Sequence, residues 1–218
     1  MVSVRRVIIL GAGGHARVVL ALLRAMGAAV QGCLALERPD SLWPADVPWA
    51  GDDSKLRSIV AQDVLLANGI GSVADCRPRR DAFEHARSAG FQFMTLCHRS
   101  AVIEKDVVLG EGAQVMAGAI LQTGVHIGAN AIINTGAIVD HDSAIGDHAH
   151  VAPGVRLSGN VTVGPAAHVG TGATVVQGLV IGAGAVVGAG AVVLSDVPEN
   201  VCVAGVPALA IQKRQRFT

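Results

Sequence analysis

The sequence predicts a chain in two parts, a Rossmann-like α/β half-domain followed by an all-β parallel β-helix. Three observations predict it: a six-residue repeat that runs unbroken from Val102 to Val197, a glycine-rich strand-turn-helix start, and an unusual composition. Of 218 residues, 51% are hydrophobic but only 3% aromatic, with 27 glycines and no tyrosine, so small aliphatic side chains must fill a narrow, regular interior. The character of the sequence changes near Leu96 to Ala101, which places the domains at 1–98 and 99–218.

Stepping by six from Ile103 to Val193, all sixteen positions hold Ile, Leu or Val. Four residues after each lies a smaller series, from Val107 to Val197, in which only Ser143 is polar and only Leu179 is bulky. A helix of 3.6 residues per turn cannot keep such a period on one face, whereas three short strands per coil can. At the usual strand spacing, coils of this kind stack into a prism on the order of 25 Å long. Gly110, Gly128, Gly146, Gly164, Gly170, Gly182 and Gly188 follow the aliphatic, where a tight corner needs either φ freedom or the absence of a Cβ. Between Val107 and Ser195 the charged residues are Glu111, Asp140, Asp142, Asp147 and Arg156, too few for three exposed faces. A closed homotrimer is the simplest way to cover a three-sided prism.

In the first part, Val7 to Leu10 reads as a buried strand, Gly11 to Gly14 as a tight turn and His15 to Met26 as a helix with Val18, Val19, Leu22 and Leu23 on its apolar side. Val30 to Leu36 and Val64 to Ala67 read as further strands, the latter followed by a turn with Gly69 and Gly71. Such a helix N-terminus suits a phosphate, but about 100 residues hold only half of a full dinucleotide fold, so a mononucleotide fits better than NAD.

Lys plus Arg equals Asp plus Glu at 17 each, which argues against a nucleic-acid partner. No run is long and apolar enough for a membrane span. Cys33, Cys76, Cys97 and Cys202 are scattered, which argues against a metal cluster or a disulfide framework and for a reduced, cytoplasmic protein.

Five histidines fall within the repeat: His126, His141, His148, His150 and His168. His141 is set apart by lying between Asp140 and Asp142 on a corner, since a neighbouring carboxylate orients an imidazole and raises its basicity. A general base of this kind works together with donors aimed at a developing oxyanion. Gly159, eighteen residues on, stacks one coil beyond His141, and its backbone amide is a candidate for that donor.

Hexads of the form aliphatic-Gly-x-x-Ala, the closing Val203-Ala204-Gly205-Val206-Pro207-Ala208 and the Gly11-Ala12-Gly13-Gly14-His15 start resemble the hexapeptide-repeat acyltransferases over nearly the whole chain. Within them the sequence is similar to the branch that acylates nucleotide-linked amino sugars, with sialic-acid O-acetyltransferase-like and bacillosamine-pathway N-acetyltransferase members. The resemblance implies a left-handed coil and acetyl-CoA as co-substrate without a metal. It also implies a GDP- or UDP-linked 4-amino sugar, GDP-perosamine foremost, as acceptor in surface polysaccharide or glycan synthesis. His141 matches the family's base and Asp142 the acid, usually glutamate, that polarises it; Asp140 remains an alternative partner. His150, Thr171 and Ala189 match coenzyme A contacts. Gly13, Gly14, His15, Glu37, Arg38 and Gly71 match positions lining the nucleotide-sugar pocket, where Glu37-Arg38 departs from the usual pair of acids. His141 and His150 are half a coil apart, which places the site between His141 of one subunit and His150 of the next. Competing readings are an O-acetyltransferase, a zinc carbonic-anhydrase-like β-helix, whose close histidine pair is missing, and a non-catalytic scaffold.

Overall fold

The structure, a computed structural model, describes residues 6–73 and 75–211. The last seven residues of the expected second domain, 212–218, lie outside them. The chain divides into two compact units, with the changeover between Leu96 and Cys97.

In the first unit β1 (Arg6–Leu10), β2 (Val30–Leu34) and β3 (Val64–Asn68) form a parallel sheet in the order β2-β1-β3. The helix α1 (Gly14–Ala25) crosses from β1 to β2, and α2 (Arg77–Ser88) follows β3. The β1 residues Val7 to Leu10 are at most 3% exposed, as their continuous apolar run requires. One expected face of α1 is corrected: Val18 points outward at 45% exposure while Ala16 and Leu20 join Val19, Leu22 and Leu23 in the core. Leu20 lies closer in helical angle to Ala16 and Leu23 than Val18 does, and the sheet selects that stripe. The loop after β3 is held by Arg79, fully buried on α2, whose Nη1 donates to the Asn68 and Ile70 carbonyls at 2.9 and 2.7 Å.

The second unit is a three-sided parallel β-helix of about six turns. Each hexad contributes a two-residue strand that pairs with the strand eighteen residues away, as in Ile132–Ile133 on His150–Val151 and Ile138–Val139 on Arg156–Leu157, until the closing coil, where Val186–Val187 pairs with Cys202–Val203. The stack exceeds the hexads counted in the sequence, because Leu96–Cys97 opens it and Cys202–Ala204 closes it. Leu209–Ile211 then folds back antiparallel on Cys202–Ala204 and occupies the edge of that sheet. The aliphatic and small series point inward together and form one continuous core from Ala113 to Val203.

The corners separate two roles that the sequence left joined. Gly110, Gly128, Gly146, Gly164, Gly170, Gly182 and Gly188 need no φ freedom; they lack a Cβ because the next coil's backbone or a neighbouring Ala204 Cβ occupies that space. The left-handed residue comes two positions later and is not always glycine, with Asn130, Asp142, His148, Asn160 and Ala166 all at φ between 55 and 60°. Asn and Asp are the side chains that adopt this conformation most readily.

Candidate active site

One corner of the β-helix stacks Thr123-Gly124, His141-Asp142 and Gly159-Asn160 in a column, joined by backbone bonds from Asp142 N–H to Thr123 and from Asn160 N–H to His141. Asp142 Oδ2 accepts from His141 Nδ1 at 2.8 Å, and Asp140 Oδ1 accepts the His141 backbone N–H at 2.8 Å. The two acids are thus divided, Asp142 orienting the ring and Asp140 fixing the main chain. A proton held on Nδ1 leaves the Nε2 lone pair free. The hydrogen bond to Asp142, with smaller charge effects from both acids, raises the imidazole above its ordinary value.

Two glycines make room for this pair. A Cβ on Gly124 would lie 2.6 Å from Asp142 Oδ1, and a Cβ on Gly159 would overlap His141 Nε2 and lie 2.6 Å from Cε1. Gly159 therefore admits the ring edge that carries the free nitrogen. Its own N–H has no acceptor among the described residues, while its carbonyl accepts from Gly178 N–H at 3.0 Å. Ser143, the one polar residue of the small inward series, bridges the same two coils: its Oγ donates to Ser158 O at 3.3 Å and accepts from Val161 N–H at 3.1 Å. That break in the repeat was visible in the sequence, but only the structure shows that it ties the His141 coil to the residues on either side of Gly159-Asn160.

His150 stands on a different side of the coil and is 8% exposed. Its Nε2 accepts from Asn134 Nδ2 at 3.1 Å, and its ring meets the edge of His168 at a centroid distance of 4.9 Å. Burial pushes His168 down to about 4, so it stays neutral at physiological pH. Thr171 and Ala189 are exposed and stack on the next corner column, where Gly190 N–H donates to the Thr171 carbonyl. One chain therefore does not bring His141 and His150 together. Among the described residues no group of three His, Cys, Asp or Glu is placed to hold a metal ion, so His141, His148 and His150 do not form a cluster.

In the first unit, Gly13 caps α1 with Gly14 and His15 in its first turn, and a Cβ on Gly71 would lie 3.1 Å from His15 Cβ, so these residues form one patch. Glu37 and Arg38 lie in an exposed bend just after β2. A cleft of about 540 Å³ opens at the carboxyl ends of the strands, where ligands of open α/β sheets bind. Its walls are Leu10, Gly11, Leu34, Leu36, Leu56 and Ile70, with α2 residues including Pro78, Ala82 and His85 opposite. Leu36 and Ile70 adjoin Glu37 and Gly71, whereas α2 and Asp53 were not anticipated, because a charged, Pro-containing helix gives little apolar periodicity.

The first unit matches the PglD N-terminal domain over residues 6–85. A comparison with curated proteins returns no match. Among solved structures, PerB from Caulobacter crescentus, in complex with CoA and GDP-perosamine, is 42% identical over 94% of this chain and 97% of that one, with a TM-score of 0.87. The acetyltransferase domain of PglB from Neisseria gonorrhoeae FA1090 is 34% identical over 95% of this chain and 100% of that one, with a TM-score of 0.87. AntD, an N-acyltransferase from Bacillus cereus, is 20% identical over 56% of this chain and 81% of that one, with a TM-score of 0.51, and shares the fold alone. The coil is thus a left-handed parallel β-helix of the hexapeptide-repeat acyltransferase class. The chain belongs to the family of nucleotide-sugar acyltransferases that joins a PglD-type N-terminal domain to such a helix.

Proposed function

We propose that this protein transfers the acetyl group of acetyl-CoA to the 4-amino group of a nucleotide-linked sugar, GDP-perosamine or a close relative, with His141 as general base. The observation that carries this reading is the His141 ring, held through Nδ1 by Asp142 and open at Nε2 beside Gly159. The amine nitrogen attacks the thioester carbonyl, and His141 Nε2 takes the proton that nitrogen sheds. The Gly159 N–H donates to the carbonyl oxygen as charge builds on it. The tetrahedral intermediate then collapses, the carbon–sulfur bond breaks, and the proton passes from His141 to the departing thiolate.

Several features support the parts of this scheme. Gly13, Gly14 and His15 at the start of α1 offer helix N-terminal amides for the diphosphate, with Gly71 packed beside His15 and with Glu37 and Arg38 toward the ribose or base. Thr171 and Ala189, stacked along one corner, offer a track for the pantetheine arm, and His150 lies on the side of the coil next to it. The solved relative from Caulobacter crescentus was captured with CoA and GDP-perosamine together, in one case as its H141A variant, and this ternary arrangement is what direct transfer requires. Outward valines at Val102, Val108 and Val180, 45 to 53% exposed, give the chain apolar faces to bury in a homotrimer. In that trimer the site is shared, with His141 from one subunit and the coenzyme A contacts from the next.

Thiol release from acetyl-CoA against a panel of GDP- and UDP-linked 4-amino and hydroxy sugars tests the reading. Release with the 4-amino sugars is expected. Release with only the hydroxy sugars would replace the nitrogen acceptor by oxygen.

A further inference from the structure

The cleft of about 540 Å³ in the first unit is a suitable size for a nucleobase and its sugar. Its walls are apolar apart from Asp53, Asp81 and His85. Asp81 is exposed and bonded to Arg80, with its Oδ1 2.9 Å from Nε. His85 is exposed on α2, opposite Asp53. Asp52, beside Asp53, is engaged elsewhere: it caps the 3₁₀ turn Asp53–Ser58 by accepting the Ser54 N–H at 2.9 Å. Asp53 is the half-buried one, and its carboxylate has no hydrogen-bond donor among the described residues.

That setting is costly for a carboxylate. Burial, and then the charge of Asp52, raises Asp53 above the ordinary carboxylate range, while His85 acts weakly the other way. A ligand that brings donors into the cleft would relieve the cost.

We propose that Asp53 is the base-selecting residue of this pocket and that the base it selects is guanine, an inference that rests on the nucleotide-sugar reading above. Guanine presents N1–H and the 2-amino group side by side, so both carboxylate oxygens accept from it in a two-point contact. Uracil and thymine present a single N3–H flanked by two carbonyl oxygens, and adenine sets its amino group beside the N1 lone pair. For each of these the second carboxylate oxygen faces an acceptor. Selection thus comes from repulsion of the wrong base as much as from attraction of the right one.

The test is calorimetric binding of GDP, UDP and ADP to the intact protein and to Asp53→Asn, with coenzyme A binding as the measure that the variant is folded. Wild type should bind GDP at least about tenfold more tightly than UDP or ADP. Asp53→Asn should lose about 10- to 100-fold in GDP affinity, since an amide offers one acceptor and one donor where guanine needs two acceptors, and its UDP affinity should hold or rise. A wild type without preference for GDP, or an unchanged GDP-to-UDP ratio in a variant that still binds coenzyme A, overturns the assignment. Binding without chemistry keeps the two readings apart. Guanine selection lost in Asp53→Asn but no acetyl transfer by wild type would sink the proposed reaction and leave the assignment of Asp53 standing. Transfer to a GDP-sugar with an unaltered ratio would do the reverse.

Discussion

Asp142 meets two demands at one position. It adopts φ of 58° at the corner, which Asp tolerates, and from there its short side chain reaches His141 Nδ1. A glutamate is the usual family partner by resemblance, but a left-handed corner that also passes over Gly124 suits the shorter acid. Because the Asp142 hydrogen bond is the largest cause of the raised imidazole, Asp142→Asn should shift the acidic limb of kcat/KM to lower pH. The sign follows from the base needing to be neutral: a less basic His141 loses its proton at lower pH, so activity persists further into acid while its maximum falls. An acidic limb that does not move would remove Asp142 from the role. Gly159→Ala should be nearly as damaging as loss of the histidine, since its methyl would claim the space of the ring edge. Turnover falling by about 100-fold or more, with an unchanged melting temperature, is the expected pattern. His141 was legible in the sequence from its two flanking acids. The division of labour between them was not, because one-residue neighbours on a corner point in directions that only the backbone angle decides.

Coils, rather than single strands, are the unit of this fold. Each strand has two residues and no stability of its own, so the inward series holds only when neighbouring coils stack on it. The repeat of Ile, Leu and Val exposed this architecture almost completely, because a period of six can serve only one regular geometry. The glycine columns were half legible. Their position was plain, but whether they answered φ or space depended on the next coil's backbone. The two kinds should differ on substitution. Gly146→Ala would set a Cβ 2.5 Å from Pro165 N, a backbone atom with nowhere to move, and should cost about 3 kcal/mol. Gly172→Ala meets open space at φ 68° and should cost about 1 kcal/mol, in line with Ala166, which already holds φ 59°. Thermal or denaturant unfolding of the two variants would measure both, and equal costs would contradict the separation. The α2 helix escaped notice because it buries only Arg79, Phe83 and Ala86, and so few apolar residues among so many charged ones do not stand out as a core-facing stripe.

For the whole molecule, the proposed sharing of the site between subunits rests on where one chain holds its parts. His141 is on an exposed corner, and His150 is buried on another side of the same coil with Asn134 and His168. Mixed assemblies of His141→Ala and His150→Ala chains, each inactive alone, should regain part of the wild-type rate if each site draws on two subunits, and a sedimentation measurement should find a trimer. No recovery in mixed trimers would place the whole site in one chain. The burial of His168 also sets an acid limit. His168 is neutral in the folded state down to about 4, whereas unfolding frees it to protonate below its ordinary 6.5. The unfolded state therefore binds more protons between those values, and stability declines by up to about 3 kcal/mol as pH falls through that window. His168→Leu should flatten this part of the pH profile of unfolding. The central claim is that the His141 corner is the base of an acetyl transfer, and the most direct measurement is thiol release from acetyl-CoA with a GDP-linked 4-amino sugar by wild type and by folded His141→Ala. The expected result is a loss of about 10²- to 10⁴-fold in the variant. Turnover at the wild-type rate would contradict the claim.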